Sequence, residues 1–113
     1  MYEKVDGKMP VHDFIQGLEP KKQAKISREI DLLEKFGSEL HYPHVDTIKG
    51  DTYKGLLELR VEFASNIFRI FFFLPKSNNA ILLHGIVKKS QKTPKKELDL
   101  ALERMKEYSR RRR

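Results

Sequence analysis

The sequence contains no cysteine and no long hydrophobic run. Without cysteine the chain can form neither a disulfide nor a thiolate metal site, and this favours a cytoplasmic protein. The most apolar segment, residues 67–74, includes Arg69 and is far shorter than the ~20 residues of a membrane-spanning helix. The first residues are polar and lack the apolar stretch of a signal peptide. We therefore expect a cytoplasmic protein without a membrane partner.

Acidic residues are scarce in the last quarter of the chain. Residues 1–87 contain 12 basic and 12 acidic side chains, whereas residues 88–113 contain 11 basic and 4 acidic ones, so the whole net charge of +7 lies there. Such asymmetry favours a polyanion or an acidic protein as partner. Residues 110–113 form a basic tail that we expect to be disordered, and residues 88–109 remain positive without it.

The spacing of apolar residues predicts a single α+β domain over residues 1–113. Two consecutive helices are expected, one from Pro10 and one from Pro20 to Gly37; the second has Ala24 and Phe36 at the ends of its apolar side. Residues 38–55 read as a loop. Three antiparallel strands follow, with turns at residues 64–66 and 75–79, and then a C-terminal helix over residues 94–108, capped by Thr93. The helical hairpin should cover one face of this small sheet.

His41 and His44 lie two residues apart in the predicted loop. A metal site would need a third ligand, and the sequence nominates none. We therefore interpret both as loop histidines and predict neither a metal nor a cofactor.

Period-two alternation sorts the polar residues of the strands. Arg60 and Arg69 each lie opposite an apolar set, and His84 and Lys88 share one side of the last strand. If both turns hold an even number of residues, all four fall on one face; an odd turn would split them. The even case is favoured because it produces one strongly apolar face and one mixed face.

A face with these side chains has the chemistry to bind and cleave a phosphodiester. Guanidinium groups pair with phosphate oxygens, and a histidine or a lysine with a lowered pKa can take a proton from a ribose 2′-hydroxyl. The candidate catalytic residues are Arg60, Arg69, His84, Lys88 and Lys89, and the candidate RNA-binding residues are Lys92, Lys95 and Lys96.

Each of these candidate residues can also have a purely structural role. Arg60 can pair with Glu58 or Glu62, while Arg69 has fewer acidic neighbours in its strand. His84 can be a packed histidine, and the lysines can be solvated.

Several segments resemble the phage-derived branch of the RelE/HigB-like toxins, the toxin halves of type II toxin–antitoxin modules. They are PVHDFIQGL at residues 10–18, DLLEKFG at 31–37, LLELR at 56–60, NIFRIFFF at 66–73 and HGIVKKSQKTPKKE at 84–97. The resemblance implies a microbial ribonuclease-like fold and metal-independent, ribosome-dependent cleavage of mRNA. It matches Arg69 to an arginine that contacts the scissile phosphate and Lys88 and Lys89 to the basic residues that end the last strand. Glu58 stands where some relatives have a catalytic lysine.

The resemblance also implies partners: the ribosome, mRNA and an antitoxin with a helix-turn-helix DNA-binding domain. An acidic or amphipathic antitoxin segment would fit the basic residues 88–96 and the C-terminal helix. Two alternatives stay open. One is a ParE-like toxin that inhibits DNA gyrase without nuclease activity, and the other is a basic RNA-binding module without catalysis.

Overall fold

A computed structural model describes residues 2–4, 6–41, 43–75, 79–88 and 92–111. The elements, in chain order, are helices α1 (Pro10–Gln16) and α2 (Pro20–Phe36), strands β1 (Val45–Thr47), β2 (Leu57–Phe63), β3 (Asn66–Phe73) and β4 (Ile81–Lys88), and helix α3 (Lys95–Arg111). The strands form an antiparallel sheet in the order β1-β2-β3-β4. The predicted α+β fold is confirmed. Across the described ranges, no helix combines the length and the apolar character needed to span a membrane.

The prediction that residues 38–55 are loop throughout is wrong at β1. This strand pairs with β2 through Val45 and Leu59, and Val45 is buried in the core. Short 3₁₀ turns, Gly37–Glu39 and Asp51–Tyr53, lie on either side of it. Three residues are too few to display a period of two, which is why the pattern missed the strand.

The C-terminal helix is longer than predicted. It begins at Lys95 and continues through Arg111, so the expected disorder is wrong for Arg110 and Arg111, while residues 112–113 lie outside the described ranges. Arg111 pairs with Glu107 one turn earlier and donates a hydrogen bond to the backbone oxygen of Glu3 at 2.6 Å. A cation in the last turn also complements the helix dipole.

The helical hairpin covers one face of the sheet, as predicted. Its buried side chains pack against alternate residues of β2 and β3; the cluster includes Val11, Ile15, Ile26, Ile30, Leu33, Leu59, Val61, Phe68, Ile70 and Phe72. Gly37, at φ 54°, ends α2 in the conformation that glycine tolerates. Ala24 and Phe36 were expected on the apolar side but are exposed, Phe36 to 42%. The hairpin therefore buries a narrower stripe than the sequence suggested.

Helix α3 packs on the opposite face of the sheet. Ala101 is buried against a cluster that includes Phe71, Phe73 and Leu83, with Met105 at its margin. These strand residues lie toward the β3–β4 connection. The face opposite the hairpin is thus covered at one end and open at the other, near the β2–β3 turn.

The strand register brings the predicted polar residues to that face. Phe63 pairs with Asn66, so the first turn is the pair Ala64 and Ser65, and Ala64 takes the positive φ of 56° that such a tight turn requires. The connection between β3 and β4, residues 74–80, is odd in number. A register shift between Phe71 and Phe72 compensates, since Phe71 pairs with His84 and Phe72 pairs with Leu82. Despite the odd connection, His84 and Lys88 therefore lie on the same face of the sheet as Arg60 and Arg69.

Gly85 marks a close contact between β4 and α1. A Cβ atom at this position would lie 2.5 Å from Cδ2 of Phe14. We predict that Gly85→Ala lowers the free energy of unfolding by about 1–3 kcal/mol, because the added methyl must displace a packed ring. Urea unfolding measures this loss. In a Phe14→Ala background the same substitution should have little effect, and an equal loss in both backgrounds would contradict the contact.

Candidate functional site

Three cations occupy the open end of the mixed face. Arg60 on β2 and Arg69 on β3 are direct cross-strand partners. Lys88, the last residue of β4, pairs with Ile67, two residues before Arg69 and on the same face. We call Arg60, Arg69 and Lys88 the basic face. The sequence predicts that these residues meet only if both turns are even. The first turn is even; the even case is wrong for the second connection, where the register shift in the β3–β4 pairing brings Lys88 to the same face.

Like charges directly across a ladder repel each other, and Glu58 provides the compensation. Nη1 of Arg69 donates to both carboxylate oxygens of Glu58, at 2.9 Å to Oε1 and 2.7 Å to Oε2. Both residues are buried, with exposures of 9% for Arg69 and 4% for Glu58. Arg69 is therefore an ion-paired residue, and its acidic partner comes from the neighbouring strand and not from its own, which contains no acidic residue.

Glu58 is the residue that sequence reasoning missed as a member of the site. Burial raises the pKa of this carboxyl, and the neighbouring Asp46 adds to the rise, while the positive charges of Arg69 and Arg60 oppose it. Its position two residues before Arg60 placed it on the same face of β2. The signal was thus present, but the diagonal contact with Arg69 depended on the register.

Lys88 lies half-buried at the edge of the basic face. Burial lowers the pKa of its amine, and the charges of Arg69 and Arg60 lower it further, against an opposing effect of Glu58. Burial and the two arginines each disfavour the ammonium form, whereas Glu58 favours it. Lys88 is therefore easier to deprotonate than an ordinary surface lysine, which suits a proton acceptor.

His84 lies on the same face but at its covered end, beneath α3. Its Nε2 is 2.6 Å from Oε2 of Glu97, and its ring stacks on Phe71. Nη1 of Arg104 lies 3.3 Å from His84 Nδ1 and also donates to the carbonyl of Leu83 at 2.9 Å. Because an arginine only donates and a carboxylate accepts, the neutral ring carries its proton on Nε2. The nitrogen that could accept a proton is occupied by Arg104.

The lysines after β4 form a basic border to the site. Lys95 pairs with Asp99 at 2.7 Å, and Lys92 and Lys96 are exposed. Lys89 lies outside the described residues. Thr93, expected as a helix cap, instead accepts a hydrogen bond at 3.3 Å from Nη1 of Arg69, so the start of α3 adjoins the basic face.

Metal-binding side chains do not cluster in the described part of the chain. No group of three or more His, Cys, Asp and Glu residues there is arranged to hold an ion. Nδ1 of His44 lies 3.5 Å from Oε2 of the buried Glu29, and this contact joins the segment before β1 to α2.

Comparison with known protein families identifies the family of this chain. The family profile of the phage-derived Gp49-like proteins matches residues 13–106. The chain belongs to that family. The Gp49-like family is part of the RelE/ParE-like toxin superfamily and is associated with the toxins of toxin–antitoxin modules, which implies a cognate antitoxin. A search of the curated proteins finds no match to this Gp49-like protein.

The contacts of His84 predict a pH dependence of stability. Burial is the main cause that lowers the pKa of His84 below its ordinary value of 6.5, Arg104 adds to the decrease, and Glu97 opposes it. In the unfolded chain the ring takes up a proton near pH 6.5, before the folded protein does, so stability is complete above that pH and falls as the pH decreases below it. Urea unfolding at pH 7.5 and at pH 5.5 should show a smaller acid loss for His84→Gln than for the wild type.

The control for this measurement is His12→Gln, which alters an exposed histidine on α1. That variant should lose stability on acidification as the wild type does. Identical acid losses in the wild type and in His84→Gln would contradict the proposed origin of the effect.

Proposed function

We propose that this Gp49-like protein is the toxin of a type II toxin–antitoxin module of the RelE/HigB-like kind, and that it stops translation by cleaving mRNA on the ribosome. The observation that carries the proposal is the basic face, in a member of a toxin superfamily: Arg60 and Lys88 are half-exposed, and Arg69 lies buried beside them on the same face of the sheet. Lys92 and Lys96 are exposed in the segment around Thr93, which contacts Arg69, and they add positive charge near the basic face. A single-stranded polyanion fits such a surface.

The chemistry follows from the groups available. The ribose 2′-oxygen attacks the adjacent phosphorus, a P–O2′ bond forms, and the P–O5′ bond breaks to leave a 2′,3′-cyclic phosphate. Arg60 and Arg69 bind the phosphate oxygens and stabilise the charge that develops on them. Lys88 takes the proton of the 2′-hydroxyl, and the leaving 5′-oxygen takes a proton from solvent. The reaction is metal-independent in this proposal because guanidinium groups supply the positive charge.

Lys88 is assigned the role of base in preference to His84. The physical environment lowers the pKa of Lys88, and its side chain lies next to both arginines of the basic face. His84 is beneath α3, with Glu97 and Arg104 on its two ring nitrogens. A proton acceptor must come within hydrogen-bond reach of its substrate, and only an opening of α3 would give His84 that access.

A ParE-like toxin that inhibits DNA gyrase without nuclease activity is the second candidate. The observation in its favour is that two of the expected catalytic side chains are engaged by protein partners, Arg69 by Glu58 and His84 by Glu97. Such a toxin needs a binding surface and no proton acceptor. Loss of supercoiling activity with intact transcripts would identify this function.

The nuclease is tested in a reconstituted translation system, with message ends mapped by primer extension. We expect the wild-type protein to cleave the message only while ribosomes translate it. Lys88→Ala should reduce the rate by about 100-fold or more, as expected for the loss of a general base. Lys21→Ala, which alters an exposed lysine of α2, is the matched control and should cleave at the wild-type rate.

Arg69 needs a paired substitution in the same assay. Removing it alone leaves the buried Glu58 carboxylate without a partner, which typically destabilises a protein by about 3–5 kcal/mol. Arg69→Ala should therefore be made together with Glu58→Gln, so that a folded protein is tested. Full-rate cleavage by this double variant and by Lys88→Ala would rule out the mechanism.

The antitoxin is proposed to bind the border of the basic face and α3. Reversing the charges of Lys88, Lys92 and Lys96 to glutamate should weaken the complex by at least about tenfold, because an acidic or amphipathic segment loses its complementary charges. Calorimetric titration with the cognate antitoxin measures the affinity. Lys21→Glu should bind as the wild type does, and unchanged affinity of the triple variant would place the antitoxin elsewhere.

A further inference from the structure

A carboxylate already occupies the anion-binding side of Arg69. The two oxygens of Glu58 lie 2.9 and 2.7 Å from Nη1, which are the distances at which a guanidinium holds a phosphate oxygen. Glu58 is part of β2 and is 4% exposed, so it cannot diffuse away from Arg69 as a free anion would. Any phosphate that approaches Arg69 meets a guanidinium that is already partly neutralised.

The pairing between Arg69 and Glu58 is incomplete. A single nitrogen, Nη1, serves both carboxylate oxygens, so the two-nitrogen fork of the guanidinium is not used. In the described part of the chain no group accepts a hydrogen bond from the buried Nε of Arg69. Asp46 lies directly across from Glu58 in the sheet and places a second negative charge beside it. Arg69 therefore has donor capacity left, and Asp46 offsets part of the attraction that Arg69 and Arg60 exert on the Glu58 carboxylate.

We propose that Glu58 acts as an internal competitor for phosphate at Arg69 and thereby weakens the binding of free single-stranded RNA. The ligand class, an RNA phosphodiester, rests on the proposed function; the competition itself rests on the contact between Glu58 and Arg69. Glu58 is then a specificity-determining residue. The protein reserves its full phosphate affinity for RNA that is held in place by further contacts, as on a ribosome, and RNA alone binds less tightly.

The physical basis is a comparison of two anions at one cation. A bound phosphate either displaces the carboxylate or shares the guanidinium with it. In the first case the protein must leave Glu58 without its partner or protonated, and in the second case two negative charges lie close together. Both cases reduce the affinity of the basic face for RNA, and neither arises when residue 58 is a neutral amide.

The test uses fluorescence anisotropy with a labelled single-stranded RNA whose 2′-hydroxyls are methylated, so that binding is measured without cleavage. We expect Glu58→Gln to bind about tenfold more tightly than the wild type, the factor typical of one charge-assisted hydrogen bond. The slope of the logarithm of affinity against the logarithm of salt concentration should become more negative by about 0.7, the value for one additional phosphate contact.

The matched control is Glu62→Gln. Glu62 is on the same strand and the same face, its removal changes the net charge equally, and its cross-strand partner is Ile67 instead of an arginine. This variant should keep the wild-type salt slope. Equal gains in the two variants, or no gain in Glu58→Gln, would overturn the proposal.

Two further variants complete the test: one covers the case in which Glu58→Gln does not fold, and the other checks that the effect acts through Arg69. Thermal unfolding followed by circular dichroism checks that Glu58→Gln is folded. If it is not, Glu58→Asp retains the charge but shortens the side chain away from Nη1, and it should bind RNA more tightly than the wild type. Unchanged or weaker binding by a folded Glu58→Asp would equally overturn the competition. The substitution Glu58→Gln in an Arg69→Gln background should bring no gain, and a gain there would show that Arg69 is not the group involved.

The outcome is separable from that of the nuclease proposal. Absence of message cleavage together with tighter binding by Glu58→Gln would refute the nuclease and retain the competition. Ribosome-dependent cleavage together with unchanged binding by Glu58→Gln would do the reverse.

Discussion

The pairing of β2 with β3 is the constraint on which the rest of the structure depends. Because the turn holds only Ala64 and Ser65, Arg60 is placed directly opposite Arg69, and Glu58 lies diagonally across from Arg69. A shift of one residue would turn every polar side chain of one strand into the apolar core beneath the hairpin. The same register therefore protects the core and assembles the basic face. The β2–β3 register therefore determines both which side chains enter the core and which charged side chains meet at the candidate site.

Several polar contacts join α3 to the rest of the protein, in addition to its few buried residues. Ala101 and Leu102 are the residues of α3 that are classed as buried within the described ranges. Around them, Glu97 contacts His84, Asp99 accepts a 2.6 Å hydrogen bond from the hydroxyl of Tyr53, and Glu107 accepts one at 2.9 Å from Tyr2. The helix thus depends on hydrogen bonds whose strength varies with protonation, and it shelters one end of the face that carries the basic residues.

The two ends of that face differ in chemistry for a physical reason. At the covered end, Phe71 and Phe73 require an apolar lid, and α3 supplies it. At the open end, Arg60 and Lys88 are half-buried and Arg69 is buried against Glu58, whose single negative charge compensates only part of the charge of the three cations. An excess of positive charge therefore remains at the open surface, and this is what a toxin that acts on RNA, or one that binds an acidic partner, would use.

The sequence by itself determined the two helices of the hairpin, the β2–β3–β4 meander and the basic bias of the C-terminal quarter, because these are local properties of periodicity and composition. It did not reveal β1, because three residues are too few to show a pattern. It also did not reveal that α3 continues to Arg111, where a hydrogen bond to the backbone of Glu3 stabilises the last turn. Tertiary structure alone determined which charges meet. Arg69 is paired with Glu58 and His84 is placed between Glu97 and Arg104, and both outcomes depend on register and on the packing of residues distant in sequence. Hydrophobic periodicity specifies which face a side chain occupies, whereas the environment of a charge is set by neighbours that only the folded chain brings near.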